Sequence, residues 1–314
     1  MKIFISKIAL MLIILAALMA GIWACPGVYT IEFSAIVNKI DMLKSKQPPR
    51  IIFIGGSNLL TIDSKLIQKK FKRPVVNLGL WYGLNYKYFL EEVKALFKPG
   101  DTIIFIIEYS AFSFDLVHKV NTESKEMLLL LSPISQLKAY LRNFQIIDGF
   151  KIFIEVIQQK AKSALQNIRV GKWHRLMRTG LQDYENIYDE NGSIKISWPI
   201  IRPLRKINIP YPSNFQKNWS FLNDFWKFAR KNDIKIFLTF SPYPIEHYTE
   251  NKKNIAAIDK CLRKFCKIQI LGKPENFLIH QNYFRDSPFH IYGEGEKQRT
   301  REIIRLLDQE MIEE

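Results

Sequence analysis

The 314-residue sequence has few of the residues that build metal centres and disulfide frameworks. It contains only three cysteines, at positions 25, 261 and 266, and only five histidines. An odd number of cysteines without the spacing of metal ligands predicts neither a disulfide framework nor a zinc site. No G-x-G-x-x-G motif follows an apolar run, which excludes the usual dinucleotide-binding fingerprint. We therefore expect no metal and no organic cofactor.

Acidic residues are outnumbered as well. The sequence has 30 aspartates and glutamates against 46 lysines and arginines, which gives a formal net charge of +16. A surplus of this size favours anionic partners. The basic residues are scattered and form no nucleic-acid-binding motif, so nucleic acid is not the expected partner. Anionic lipid or an acidic envelope polymer is favoured instead, although a basic, solvated surface is the simplest explanation.

One long hydrophobic run is present, at the N-terminus. It is uncharged over Ile8–Ala24 and follows two lysines. Its length is at the lower edge of what spans a bilayer and exceeds that of most signal-peptide cores. The positive charges before the run predict a cytoplasmic N-terminus and an exported remainder. We expect residues 1–25 to form a single-pass membrane anchor or signal segment, followed by a linker over 26–46.

The cysteine at the end of this run allows a second interpretation. Cys25 follows Ile22-Trp23-Ala24, a sequence that loosely resembles a bacterial lipoprotein cleavage site. Trp23 is bulky at a place where such sites usually carry small residues. An uncleaved anchor is therefore the favoured interpretation, and lipidation of Cys25 is the alternative.

Short apolar runs alternate with helical patterns beyond the linker. The runs Arg50–Ile54, Val75–Gly79 and Thr102–Ile107 have the length and composition of strands buried on both faces. Helical periodicity separates them, and the order strand, helix, strand, helix, strand predicts a parallel sheet with right-handed crossovers. We expect one α/β domain over residues 47–314.

The alternation is interrupted over about 112–212. A long helical pattern and then a turn-rich segment predict an insertion in this region. Regular alternation resumes with a helix from Phe215 to Asn232, a strand from Ile234 to Phe240, a helix from Lys252 to Phe265 and a final helix from about Gly295.

Polar residues at the ends of the predicted strands are the candidates for a functional site. In such sheets, ligands bind beyond the carboxyl ends of the strands. The loop before the last helix adds a carboxylate and an imidazole that are close in sequence. The candidates are Ser57, Asn58, Asn77, Gly79, Glu108, Asp286 and His290.

Three of these segments resemble the sequence blocks of SGNH/GDSL hydrolases. Gly55-Gly56-Ser57-Asn58 resembles the first block, Asn77-Leu78-Gly79 the second, and the segment from Asp286 to His290 the last. The region from about 47 to 314 also resembles a bacterial group of membrane-anchored SGNH-like proteins that carry Glu-Tyr, here Glu108-Tyr109, at the third strand end. The resemblance implies a three-layer α/β/α, flavodoxin-like domain with a helical insertion.

The resemblance also implies acyl transfer to water or to another hydroxyl. Ser57 would be the nucleophile, His290 the general base, and Asp286 the residue that orients the imidazole. The tetrahedral oxyanion needs hydrogen-bond donors, for which the N–H groups of Ser57 and Gly79 are candidates. The side chain of Asn58 is a further candidate donor.

Three features depart from the usual SGNH pattern. Gly56 stands where an aspartate usually precedes the serine, and Glu108 stands where the third block usually supplies an asparagine to the oxyanion hole. A protonated Glu108 could donate that hydrogen bond, because burial raises carboxylate pKa values; contact with a substrate hydroxyl and a purely structural role are the alternatives. Asp286 and His290 are one residue further apart than in Asp-x-x-His, which leaves their pairing open. Asn77, like Glu108, is a candidate for binding the oxyanion or the substrate.

Together, these features predict a membrane-anchored serine esterase or O-acyltransferase on the extracytoplasmic side of the bacterial cytoplasmic membrane. The expected substrate is an acylated glycan or another envelope polymer. By analogy with related SGNH domains, a multi-pass membrane acyltransferase is a candidate partner. The alternative is a non-catalytic SGNH-scaffold protein for envelope polysaccharide assembly or glycan binding, which the missing asparagine favours.

Overall fold

The computed structural model describes five stretches of the chain and a few single residues between them. These are residues 2–24, 31–79, 86–113, 187–195 and 204–312, with the single residues 154, 157, 158 and 161. The chain divides into two compact units: Met1–Ser34 with Val120–Gln182, and Ala35–Lys119 with Asp183–Glu314. Every candidate site residue belongs to the second unit. Cys25 and most of the expected insertion lie outside the described residues.

The elements alternate along the chain much as the sequence predicts. The helices are α1 (Lys2–Ala24), α2 (Ile31–Ser45), α3 (Ser64–Phe71), α4 (Tyr86–Val93), α5 (Phe215–Trp219), α6 (Phe221–Lys231), α7 (Ile245–Phe265) and α8 (Glu294–Ile312). The strands are β1 (Ile51–Gly55), β2 (Val75–Asn77), β3 (Thr102–Ile107), β4 (Lys235–Phe240), β5 (Tyr243–Pro244), β6 (Gln269–Ile270) and β7 (Leu278–Ile279). None of the described helices combines the length and the apolar character needed to cross a bilayer.

A five-stranded parallel sheet forms the centre of the second unit. Its strand order is β2-β1-β3-β4-β6, and each neighbouring pair is parallel. All residues of β1, β2 and β3 are buried. Burial on both faces explains why these strands are continuous apolar runs in the sequence and not alternating patterns. The mixed α/β fold with a parallel sheet is therefore confirmed.

Several helix boundaries differ from the sequence prediction for local reasons. Between the first two strands, where helical periodicity is expected, a 3₁₀ turn over Ser57–Leu59 comes first and the α-helix begins only at Ser64. Asp63 caps this helix, because its side chain accepts a hydrogen bond from the N–H of Leu66. The helix expected over Phe215–Asn232 is divided at Ser220 into α5 and α6.

Most of the segment that the sequence suggests as a linker is helix α2. Its Leu43 side chain is fully buried in the second unit, and so is the charged side chain of Lys39. A lysine on the buried face makes the apolar stripe of the helix hard to recognise, which explains the polar appearance of the segment.

A buried ion pair holds β1 and β3 together at their amino ends. The backbone N–H of Arg50 donates to Asp101 Oδ1 over 2.9 Å, and its guanidinium donates to Oδ2 over 2.6 Å. Asp101 Oδ2 also accepts from the N–H of Lys98 over 2.8 Å. Both members of the pair are buried, so removing either one would leave an uncompensated charge in the interior.

Lys39 links helix α2 to the segment that follows β2. Its Nζ donates to the carbonyl of Gly79 and lies 5.1 Å from the centre of the Tyr188 ring. Burial lowers the pKa of Lys39 to about 7, and the negative charge of Asp189 partly opposes this effect. Burial also lowers the pKa of the neighbouring Lys46, to about 8.

Lys39 is expected to make stability depend on pH under alkaline conditions. Its pKa falls from 10.5 to about 7 on folding, so between these values the unfolded chain binds more protons than the folded chain. The contribution of Lys39 to the free energy of unfolding therefore increases as the pH rises through this window. Urea unfolding across the window should show wild type gaining stability relative to Lys39→Met.

The control for this prediction is Lys44→Met. Lys44 lies on the same helix, is exposed and pairs with Asp41 over 2.8 Å. The unfolding free energy of Lys44→Met should change with pH as that of wild type does. Lys46 is present in wild type and in both variants, so its titration cancels in the comparison. An identical pH dependence of wild type and Lys39→Met would contradict the prediction.

Candidate active site

The pairing of β1 with β3 places Ser57 next to Glu108. In the register of these strands, Gly55 is the partner of Ile106, so the residues two positions further on lie side by side. A side chain at Gly55 could not be accommodated, since a Cβ there would lie 2.2 Å from the carbonyl oxygen of Ile106. The chain then turns sharply into the 3₁₀ turn that begins at Ser57.

Ser57, His290 and Asp286 form a continuous chain of polar contacts. Ser57 Oγ lies 2.6 Å from His290 Nε2, and His290 Nδ1 lies 2.8 Å from Asp286 Oδ1. When Nδ1 carries the proton, it donates to Asp286 and leaves Nε2 free to accept the proton of the Ser57 hydroxyl. The spacing of Asp286 and His290 in the sequence leaves their pairing undecided, and the structure shows the two side chains in contact.

A tight loop brings Asp286 back to His290. The N–H of Arg285 donates to the carbonyl of His290 over 3.0 Å, and the N–H of His290 donates to the carbonyl of Ser287 over 3.2 Å. Phe284 and Ile291 form an antiparallel bridge at the base of this loop, and both side chains are buried. The buried base holds the imidazole in place, and Phe289 within the loop is buried as well.

Glu108 is a second partner of the serine hydroxyl. Its Oε1 lies 2.9 Å from Ser57 Oγ and accepts from the N–H of Asn58 over 3.2 Å. The side chain is only 2% exposed. Burial raises the pKa of the Glu108 carboxyl, while His290 and the hydrogen bonds from Ser57 and Asn58 oppose the rise. Ser57 has one hydroxyl proton, so it can donate to Glu108 or to His290 but not to both.

Gly56 and Glu108, which both depart from the usual SGNH pattern, are linked by sterics. A Cβ at position 56 would lie 2.7 Å from Glu108 Oε1 and 3.3 Å from the hydroxyl of Tyr86. The Glu108 carboxyl therefore occupies the space that a side chain at position 56 would need. A side chain at position 56 would force the Glu108 carboxyl to shift from its place beside Ser57.

Asn77 holds the turn after β2. Its Oδ1 accepts from the N–H of Gly79 over 2.8 Å, and its Nδ2 donates to the carbonyl of Leu59 over 2.8 Å. Nδ2 also donates to Ser193 Oγ over 3.1 Å. A Cβ at Gly79 would lie 2.4 Å from that of Leu59, so only glycine fits. In this arrangement the N–H of Gly79, a predicted oxyanion donor, is engaged by Asn77.

Asn58 joins the serine turn to two residues that the sequence analysis missed. Its Nδ2 donates to the carbonyl of Ile106 over 3.2 Å and to Ser241 Oγ over 3.0 Å. The backbone carbonyl of Asn58 accepts from the guanidinium of Arg299, which is buried on α8. Ser241 directly follows β4, so the strand-end rule could have identified it. Arg299 has no comparable signal in the sequence.

A cleft opens beside the serine. Its lining includes Ser57, Leu60, Thr61, Ile194, Arg285, Asp286 and His290. Ile194 comes from the turn-rich segment of the expected insertion, and its N–H donates to the carbonyl of Leu60 over 2.7 Å. Within the described stretches, no group of three or more histidine, cysteine or acidic side chains could hold a metal ion.

The burial of Glu108 is expected to affect stability with the opposite sign to that of Lys39. Because folding raises the pKa of Glu108 above 4.5, its stabilising contribution is present below that pH and is lost as the pH rises through the folded-state pKa. Wild type should therefore lose unfolding free energy relative to Glu108→Gln as the pH increases above 4.5. Urea unfolding at a series of pH values measures this difference. The control is Glu91→Gln, which removes a carboxylate from a surface ion pair with Lys94; the pH dependence of its unfolding free energy should match that of wild type. The prediction would be refuted if Glu108→Gln also matched wild type.

Comparison with known proteins adds no assignment to this site. No family model matches the chain, and no curated protein matches it either. The resemblance to SGNH hydrolases therefore depends on the short sequence blocks.

Proposed function

We propose that this protein is a serine esterase or O-acyltransferase of the SGNH type that acts on an acylated glycan or another envelope polymer. The contact chain from Ser57 through His290 to Asp286 is the observation that carries the proposal. It combines a hydroxyl, a base within hydrogen-bond reach and a carboxylate that orients the base, which is the arrangement that nucleophilic acyl transfer needs.

The proposed reaction has two halves. Ser57 Oγ attacks the carbonyl carbon of the substrate ester while His290 Nε2 takes the hydroxyl proton. His290 then gives this proton to the departing alcohol oxygen as the ester bond breaks, which leaves the acyl group on Ser57. In the second half, water or an acceptor hydroxyl attacks the acyl-serine, gives its proton to His290 and releases the acid or the new ester. Ser57 regains its proton from His290.

The fold is consistent with this proposal. When only the strands of the large sheet are counted, their order is 2-1-3-4-5, the order of flavodoxin-like sheets. Ser57, Asn77 and Glu108 follow adjacent strands at the carboxyl edge, where such sheets bind ligands. These features support the flavodoxin-like, SGNH-type interpretation.

We further propose that α1 attaches the protein to the cytoplasmic membrane, with the second unit on the extracytoplasmic side. No described helix meets the requirements for a membrane span, so this proposal depends on side chains and charges. The lysines before the apolar run favour a cytoplasmic N-terminus. Large apolar side chains are exposed along the helix, a pattern that favours contact with lipid: Ile8, Leu10, Met11, Ile13, Ile14, Leu15 and Leu18. A multi-pass membrane acyltransferase remains the candidate partner.

A non-catalytic role is the second candidate. The N–H groups of Ser57 and Asn58 face the Glu108 carboxyl, and the Ser57 hydroxyl is within hydrogen-bond distance of it. An ionised Glu108 would hold the serine proton and occupy backbone donors that an oxyanion needs. This geometry favours a scaffold that binds envelope glycan without reacting with it.

Labelling with a fluorophosphonate probe tests the proposed reaction. The full-length wild type should be labelled at Ser57 and should hydrolyse short-chain aryl esters. Both activities should be lost in Ser57→Ala and in His290→Ala, and Asp286→Asn should lower ester turnover by about 10⁴-fold because the imidazole loses its orienting partner.

The controls are substitutions outside the site. Ser213→Ala removes an exposed serine, and His280→Ala removes a histidine that pairs with Glu246 over 3.1 Å. Both should be labelled like wild type. A folded wild type without labelling would favour the glycan-binding role, especially if glycan binding survives in Ser57→Ala.

Membrane attachment through α1 is tested by cell fractionation. The full-length wild type should sediment with bacterial membranes and be released only by detergent. The double variant Ile14→Lys, Leu15→Lys places two charges on the apolar helix, so it should move to the soluble fraction. Ile245→Lys changes a similarly exposed apolar residue on α7 and should remain with the membranes. Release of wild type by a salt wash alone would count against the proposal.

A further inference from the structure

One cation in the serine cleft forms no ion pair with the residues that the structure describes. Arg285 lines the cleft together with Ser57, Thr61 and His290. Its guanidinium lies 5.5 Å from the centre of the Tyr292 ring. It makes no ion pair with the described residues, and its buried Nε has no hydrogen-bond partner among them.

Two carboxyls act on the charge of Arg285, and neither forms an ion pair with it in the described part of the chain. Asp286 is engaged by His290 over 2.8 Å. Glu296, on α8, is the other carboxyl whose charge acts on Arg285. Burial raises the pKa of Glu296 to about 7, so this carboxyl is partly protonated near neutral pH.

A second polar atom of the cleft is also without a partner. Thr61 Oγ1 is buried and has no hydrogen bond to the described part of the chain. The side chains of Leu60 and Ile194 complete this part of the cleft and offer no polar group. Unpaired buried polar groups are costly unless a bound molecule supplies the missing partner. Arg285 Nε and Thr61 Oγ1 are therefore two buried polar atoms of cleft-lining residues without a hydrogen-bond partner in the described part of the chain.

We propose that Arg285 binds an oxyanion group of the substrate, a carboxylate or a phosphate, next to the ester that Ser57 attacks. This inference rests on the proposed function, and it narrows the substrate to an acylated acidic polymer. The planar guanidinium presents a fork of N–H donors that matches the two oxygens of a carboxylate or phosphate. Thr61 lines the same cleft and carries a hydroxyl without a partner among the described residues. The net charge of +16 would attract such a polymer to the protein.

A set of matched esters tests this proposal with the full-length protein. meta-Acetoxybenzoate carries a carboxylate, meta-acetoxyphenyl phosphate carries a phosphate, and meta-acetoxybenzamide is the neutral counterpart. In wild type, kcat/KM should be higher for the anionic esters than for the neutral one, and the better of the two anionic esters identifies the group. In Arg285→Gln the ratio of anionic to neutral kcat/KM should fall by about tenfold, the effect of losing a charge-assisted hydrogen bond.

The control is Arg301→Gln, which removes an arginine of α8 that is exposed and paired with Glu294 over 2.9 Å. Its ratio should equal that of wild type. Circular dichroism checks that each variant is folded. If Arg285→Gln does not fold, Arg285→Lys replaces it, and its ratio should also fall because a point charge lacks the fork. An unchanged ratio in a folded variant overturns the proposal.

A binding experiment separates failure of this proposal from failure of the proposed function. Ligand-observed NMR measures the binding of benzoate, phenyl phosphate and benzamide to Ser57→Ala and to Ser57→Ala with Arg285→Gln. Preferential binding of the anions that disappears in the double variant supports the role of Arg285 even if wild type hydrolyses no ester. Ester hydrolysis without any effect of Arg285 on binding or on the kcat/KM ratio supports the esterase and refutes the role of Arg285.

Discussion

The parallel pairing of β1 with β3 is the constraint on which the rest of the site depends. The buried ion pair between Arg50 and Asp101 fixes these strands at their amino ends. The register that follows pairs Gly55 with Ile106 at the other end, and this places the residues after both strands side by side. A shift of one residue would turn every side chain of a strand to its opposite face. The contact between Ser57 and Glu108 is thus a consequence of sheet geometry.

A buried carboxyl at this strand end determines much of its surroundings. The Glu108 carboxyl occupies the space that a side chain at position 56 would need, and it receives the hydrogen bonds of the serine turn. Asn58 forms hydrogen bonds with Ser241 and with the guanidinium of Arg299, and these bonds fix the position of the turn. Fixed donors and acceptors around a nucleophile cost little reorganisation during a reaction. The same rigidity would serve a binding site, so it does not by itself distinguish the two functions.

The sequence predicts the features that depend on local pattern. The strands β1 and β3 are buried on both faces and stand out as apolar runs, and the strand-end rule identifies Ser57, Asn77 and Glu108. The strands β5, β6 and β7 contain two residues each, too few to show any periodicity. Arg299 contacts Asn58, and Arg285 lines the same cleft as Ser57; both partners lie far earlier in the chain, and no local pattern records such long-range neighbours. The sequence prediction missed helix α2 because the buried Lys39 side chain interrupts the apolar face of the helix.

The ionisation of Glu108 connects the two candidate functions. When the carboxyl is charged, it accepts the hydroxyl proton of Ser57, and His290 then has no proton to take from the serine. When the carboxyl is protonated, it can donate to Ser57 Oγ, which leaves the serine proton for His290 Nε2. Burial favours the protonated form, while His290 and the hydrogen bonds from the serine turn favour the charged one. The proposed acyl transfer would therefore depend on the protonated state of the Glu108 carboxyl, which the fold itself holds in place.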